Sequence, residues 1–146
     1  MWIEVTTSCF RMTEEGKVKK VTEKLLCDAV SAGDAEAIAT KVFEERGELD
    51  NDPSVRATKI TKIAEIFNID NDLAKYYLVK VAFITIDEKT GKEKRSVSQI
   101  LVGAETFKEA YDNFMEGMKG TMADFEIVGI SESPIVGIHR PQNAAN

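Results

Sequence analysis

Apolar and polar positions alternate over residues 2–12, WIEVTTSCFRM, and again over 17–28, KVKKVTEKLLCD, with Thr-Glu-Glu-Gly between the two runs. Alternation with period two, rich in β-branched and aromatic residues, marks half-buried strands, and Gly16 can adopt the positive φ of a tight turn. This stretch predicts a β-hairpin. The period then changes: Ala35, Ile38, Ala39, Val42 and Phe43 follow i, i+3, i+4, i+7, i+8 spacing, one face of a helix. Ser31 is placed to cap its start, with Asp34 at the third helical position, and Gly47 to close it. Residues 48–54, which include Asp50-Asn-Asp-Pro53, predict a loop, and 55–67 predict one strand rich in Ile and Lys.

After the polar connection Asn68-Ile-Asp-Asn-Asp72 the order starts again. Residues 76–86 predict a strand, 87–91 a turn and 92–102 a returning strand. Thr106 and Glu109 form an S/T-x-x-E capping box. Phe107, Ala110, Tyr111, Phe114, Met115 and Met118 fall on one helical face, and Gly120 is positioned to end that helix. Residues 125–136 predict the last strand, ended or bulged by Pro134, and residues 137–146 a flexible tail.

The two halves can be laid on one another. At an offset of 74 residues Trp2 meets Tyr76, Val5 meets Val79 and Cys9 meets Phe83; at 75, Gly16 meets Gly91, Lys20 meets Arg95, Ser31 meets Thr106 and Asp34 meets Glu109. At 67, Ile60 meets Ile127 and Ile63 meets Ile130. Matches in the same order, with both caps and both turns aligned, predict two repeated β-β-α-β units, residues 1–67 and 68–136. Each unit has one amphipathic helix and three strands to cover. The expected fold is therefore α+β, one domain with an antiparallel-rich sheet and two helices packed on it.

Composition narrows the function classes. The chain has 146 residues, 43% hydrophobic and 30% charged, with a net charge of −6, as expected of a folded, water-soluble protein. An acidic balance disfavours wholesale coating of nucleic acid, which needs many Lys/Arg–phosphate contacts. No basic segment precedes a long apolar run, and no window approaches a membrane span, so a cytoplasmic protein with no membrane contact is expected. Two cysteines, Cys9 and Cys27, are too few for a disulfide framework. With Thr13–Gly16 as the turn, Cys9 would face Lys20 and Cys27 would face Trp2, too far apart to bridge. Both are expected as reduced, semi-buried thiols.

Candidate chemistry is sparse. Gly117-Met-Lys-Gly-Thr121 has the residues of a phosphate loop, but the glycines follow a helix instead of preceding one, so Lys119 and Thr121 read first as a C-terminal cap and second as a ligand contact. Lys17, Lys19 and Lys20 on one returning strand match Lys92, Lys94 and Arg95 on the other. Such lysines protect sheet edges; they could also form two equivalent basic spots, with Arg95 suited to bidentate phosphate binding. Trp2 and Tyr76, with Tyr77, begin the first strand of each unit, as core edges, an oligomer interface or a base-stacking platform. A single histidine, His139, and no cysteine pair at ligand spacing argue against zinc. Asp50-Asn-Asp52 and Asp70-Asn-Asp72 lack the Gly and Glu of a calcium loop. No nucleophile sits in an elbow motif and no His lies outside the tail, so no catalytic residue, metal or cofactor is expected.

The hairpin YYLVKVAFITIDEKTGKEK and the segment GMKGTMADFEI at Gly117–Ile127 resemble an uncharacterised family, a domain of unknown function found in small proteins of gut Bacteroidetes and their phages. The resemblance spans nearly the whole chain and is weakest over residues 44–70. It implies an intracellular protein, phage-encoded or from a mobile element, that binds and disables something of the host's. The leading expectation is a non-enzymatic, homo-oligomeric binding protein that captures a small anionic, nucleotide-type ligand such as a host defence signal, through Lys19, Lys20, Lys94, Arg95, Trp2, Tyr76, Lys119 and Thr121. The alternatives are a module that binds or inhibits a host or phage protein, and a binder of single-stranded nucleic acid.

Overall fold

Strands β1 (Trp2–Met12) and β2 (Val18–Asp28) form the first hairpin, with Gly16 at φ 82° in its turn. Thr13 N–H donates to the Lys17 carbonyl at 2.7 Å and closes the tip. The register pairs Trp2 with Asp28, Ile3 with Cys27 and Cys9 with Val21, one residue away from the pairing expected from the sequence. The shift has a physical cause: only this register puts Ile3, Val5, Leu25 and Cys27 on one face, where they form a buried core with Ala35, Ala39 and Val42. Cys9 and Cys27 are free thiols, and both are fully buried where semi-burial was expected.

Helix α1 (Ala32–Glu45) supplies the other side of that core. Ser31 Oγ accepts from Asp34 N–H at 3.1 Å, and Asp34 Oδ2 accepts from Val30 N–H at 3.1 Å, so orphan donors at the helix start are satisfied locally. At the far end Gly47 takes φ 69°. Its N–H donates to Glu44 O and the next, Glu48 N–H, to Phe43 O at 2.9 Å, a Schellman ending. A 3-10 turn, Leu49–Asn51, leads into β3 (Ser54–Ile60), which runs antiparallel to β1.

The structure is a computed structural model and describes residues 1–69 and 75–140. The strand expected over 55–67 is two strands. Thr61, one residue past β3, directs both its N–H (3.0 Å) and its Oγ1 (2.7 Å) to the Trp2 carbonyl, the last contact of this segment with β1. The chain then starts β4 (Ile63–Phe67), which lies parallel to β6 (Glu93–Gly103) in a second sheet. Likewise the strand expected over 125–136 divides at Pro134, which lacks the N–H to continue a ladder. Here β7 (Asp124–Ser133) pairs antiparallel with β5 (Tyr76–Ile86), and β8 (Ile135–His139) pairs parallel with β2. Residues 137–139, expected in a flexible tail, belong to β8; residues 141–146 of that tail lie outside the described residues.

The architecture is α+β, with two four-stranded sheets, where the sequence left one sheet or two open. The first unit, Met1–Thr61 with the segment from Pro134 onward, has strand order β3-β1-β2-β8; the second, Lys62–Ser133, has β4-β6-β5-β7. The boundaries expected from the sequence put 63–67 with the first half and 135–136 with the second, and the sheets exchange both. In the second unit α2 (Phe107–Gly117) is capped by Thr106 Oγ1, which accepts from Glu109 N–H at 3.1 Å. Its Phe114 and the following Met118 pack on Val79, Val81, Ile100 and Val102. Phe114 meets Phe125 edge-on at 5.9 Å and Phe67 at 6.2 Å.

Candidate functional site

Within the first unit the odd-numbered face of β1 changes character beyond the core, from Ile3 and Val5 to Cys9 and Arg11. Arg11 donates through Nε to Glu48 Oε2 (2.9 Å) and through Nη2 to Glu48 Oε1 (3.1 Å) and Glu23 Oε1 (2.7 Å). Arg46, the C-cap of α1, adds Nη1 to Glu23 Oε1 at 3.4 Å, and Cys9 Sγ donates to Glu48 Oε2 at 3.3 Å. Two arginines and two glutamates thus balance, with Glu48 buried. The hydrogen bonds from Arg11 hold the Glu48 carboxyl below its ordinary range, against the opposing effect of burial. Burial and the contact with Glu48 push the Cys9 thiol up, and burial raises Cys27 to about 11. Neither thiol is activated as a nucleophile, and neither Glu is a free base. The cluster is a clamp that fixes the α1 exit onto the hairpin. Sequence reasoning missed it, because its members come from β1, β2 and the helix ending with no shared period.

In the second unit, the face of α2 expected to be buried is only half so. Ala110, Phe114 and Met118 are buried, whereas Phe107, Tyr111 and Met115 are 57%, 45% and 38% exposed. The last three are spaced i, i+4, i+8 and make an apolar ridge along the helix. Phe107 also meets Tyr77 edge-on at 6.3 Å. On the other flank an open groove of about 370 Å³ runs between β4 and α2, lined by Ile66, Phe67, Asn68, Asn113, Glu116 and Gly117. At this side Asn68 Nδ2 and Asn113 Nδ2 both donate to the Gly103 carbonyl, at 2.9 and 3.0 Å.

The residues singled out from the sequence are dispersed. Lys19 and Lys20 lie near the tip of the first hairpin, opposite Arg11 and Phe10, while Trp2 pairs with Asp28 at its base. Eight strand positions separate Phe10 from Trp2, roughly 27 Å, so Trp2 and these lysines share no site. Trp2 is instead overlaid by the Arg140 guanidinium, 5.5 Å from its ring centroid. The open depression at the tip, about 520 Å³, is lined by Glu14 and Glu15 as well as Lys17 and Lys19, so its charge cancels. In the second unit Tyr76 is buried at the base, paired with Gly103 and Ser133. Lys94 and Arg95 sit toward the tip, opposite Thr85 and Ile84. Arg95 Nη2 is 3.0 Å from Glu126 Oε2, which occupies the guanidinium proposed for phosphate. Lys119 Nζ pairs with Glu116 Oε2 at 2.8 Å. Thr121 N–H closes a turn onto the Met118 carbonyl, and Gly120 takes φ 86° in that turn. Met118 is the helix C-cap, so Gly120 lies two residues beyond it instead of ending the helix directly.

Asp50 and Asp52 flank the end of the 3-10 turn; Asp70-Asn-Asp72 lies outside the described residues. Among the described residues no group of three His, Cys, Asp or Glu side chains could hold a metal ion, and no helix is long and apolar enough to cross a membrane. His139, expected in an unpacked tail, is in β8 with its Nε2 buried.

These features describe an α+β protein of two sheet-and-helix units, with Arg11, Arg46, Arg95 and Lys119 each paired with a glutamate. The chain belongs to the DUF4494 family, a domain of unknown function, whose family model matches residues 1–142. No curated protein and no solved structure matches it.

Proposed function

We propose that this chain is a non-enzymatic protein-binding module whose contact surface is the α2 ridge of Phe107, Tyr111 and Met115. The observation that carries this reading is the exposure of three large apolar side chains along one line of a helix whose buried side is already filled. Aromatic residues and Met are enriched where proteins meet, and a helix ridge docks by i, i+4, i+8 anchors. The outer surface of α2 also carries Lys108, Asp112 and Glu116, the last paired with Lys119, so the partner is a protein segment with apolar anchors and a polar rim, on a host protein if the chain is phage-borne.

Capture of a small anionic ligand is the weaker reading. It needs the basic side chains to converge, and Arg95 and Lys119 are each engaged by a glutamate. The experiment compares the wild type with a Tyr111→Glu/Met115→Thr variant in pull-downs from host lysate, alongside thermal shift with nucleotides. A stoichiometric partner held by the wild type and lost by an equally stable variant supports the ridge. A partner held equally by both moves the interface elsewhere, and a nucleotide that raises the melting temperature restores the ligand reading.

We also infer that the two units descend from one duplicated segment. Supporting this, Ser31 and Thr106 cap their helices through the same acceptor geometry, and Gly16 and Gly91 turn their hairpins at φ 82° and 68°. Each sheet has a parallel edge strand delivered from the other half of the sequence, β8 beside β2 and β4 beside β6. A crystal structure in which the two hairpin–helix segments fail to superpose rejects the duplication.

A further inference from the structure

We propose that β8 is an acid-released edge strand, held while His139 is neutral and let go when its imidazole takes a proton. The inference is independent of the ridge on α2 and concerns how the first unit is kept closed. Its basis is the placement of one atom. His139 Nε2 is buried and has no hydrogen-bond partner among the described residues. The ring rests on its own strand: a Cβ added at Gly137 would lie 2.9 Å from that nitrogen. A neutral imidazole tolerates this position, because one ring nitrogen carries no proton and asks for no acceptor. An imidazolium has two N–H donors and a charge, and here one donor would find no acceptor among the described residues.

The charged neighbours do not correct this. From α1 the facing groups are Arg46 and Glu45, of opposite sign; Arg46 is already shared with Glu23. From β2 the residue opposite is Cys27, a buried thiol, and the residue after His139 on β8 is Arg140. Burial, with Arg46 second, lowers the His139 pKa below its ordinary 6.5. The sign follows: the folded form binds the proton less readily than the released strand does, so attachment of β8 weakens as pH falls below about 6.5.

The strand is also short and peripheral, though its Ile135 is buried. It has five residues and lies at the sheet edge, and its pairing with β2 shifts register between Lys24 and Leu25. Release would leave the β2 edge over Lys24–Cys27 unpartnered, a ladder of the kind that accepts an added strand.

The protein contains one histidine and one tryptophan, and each reads one end of the event. His139 reports its own protonation by the NMR shift of its ring C–H. Trp2, overlaid by Arg140 just past β8, reports release by fluorescence. In a series from pH 8 to pH 5 the expected result is two coincident curves with a midpoint below 6.5. Amides of β8 should lose exchange protection, corrected for intrinsic rate, at least tenfold, while Ile3 and Val5 stay protected. Titration of His139 at its ordinary value with no change at Trp2 would overturn the proposal. So would loss of protection at Ile3 and Val5 together with β8, which is global unfolding. A His139→Phe variant should abolish the fluorescence step; persistence of the step in that variant also rejects the role of His139.

Discussion

Gly117 separates two physical effects that point in opposite directions. It is the last residue of α2 and does not have a positive φ, so replacing it by Ala should favour the helix. The gain is at most about 1 kcal/mol, and less at a terminal position, most of it from the more restricted unfolded chain of Ala. Against this, an added Cβ would lie 2.5, 2.6 and 2.8 Å from three carbons of the Phe67 ring. That ring is not a loose end: it packs in the core of the second unit against Phe114. Overpacking of this kind costs about 1–3 kcal/mol, and three contacts below 3 Å place Gly117→Ala toward the upper part. The expected net result is a loss of about 1 kcal/mol, read as a lower urea midpoint with unchanged slope. Combining it with Phe67→Leu should recover at least about 0.5 kcal/mol through coupling between the two sites. Gly120→Ala is the control. An added Cβ there meets nothing within 4 Å, but φ is +86°. Its cost of about 1 kcal/mol comes from the left-handed backbone and should be the same in the wild-type and Phe67→Leu backgrounds. If Gly117→Ala is as stable as the wild type, or if Phe67→Leu fails to relieve it, close approach of ring and helix is not what requires glycine.

Glu48→Gln keeps the shape of the clamp but removes its charge, leaving Arg11 short of a counter-ion; with Arg11 partly solvated, the expected cost is about 2 kcal/mol at pH 7. Because the folded pKa of Glu48 is depressed, its stabilisation is present above the ordinary carboxyl range and is lost as pH falls below about 4.5. The difference in urea midpoint between wild type and variant should therefore shrink between pH 7 and pH 3.5, and a constant difference would show that ionisation is not what matters. Cys27, fully buried with its thiol raised to about 11, should react with a disulfide reagent at pH 8 only as fast as the first unit opens. Labelling within seconds, with no dependence on denaturant, would contradict that burial.

What the sequence disclosed was local, and what it concealed depended on distant partners. Ser31 with Asp34, and Thr106 with Glu109, are complete three-residue devices, so both helix starts could be read directly. The break at Thr61 could not. The stretch SVRATKITKIAEIF has no Gly or Pro, and its two ends pair with distant strands, β3 with β1 and β4 with β6. The clamp was hidden for the same reason: Arg11 reaches Glu23 and Glu48, 12 and 37 positions away. Hairpin register missed by one residue because the tip is fixed by the Thr13–Lys17 hydrogen bond, which turn composition does not specify. On α2 the period identified the apolar side correctly but gave it too great a width. Periodicity tells which residues are apolar, not which of them the fold itself covers.

That width bears on function. On the duplication proposed above, an offset of 75 places Phe107, Tyr111 and Met115 opposite Ala32, Glu36 and Thr40 of α1. Both helices are capped alike and both cover a hairpin, and Ala32, Glu36 and Thr40 are exposed, as the outer positions of α2 are. The α1 positions carry what a solvated helix surface ordinarily carries. The same architecture is therefore satisfied by small or polar residues at these three positions, and the apolar ridge of α2 answers no requirement of the fold. Phe107 has a partial role through Tyr77; Tyr111 and Met115 make no such ring contact among the described residues. Transferring the residues of α1 to these two places, Tyr111→Glu and Met115→Thr, should thus leave the melting temperature within a few degrees of the wild type. A large loss of stability would mean that the two side chains serve the fold after all, and the case for a contact surface would fall with it.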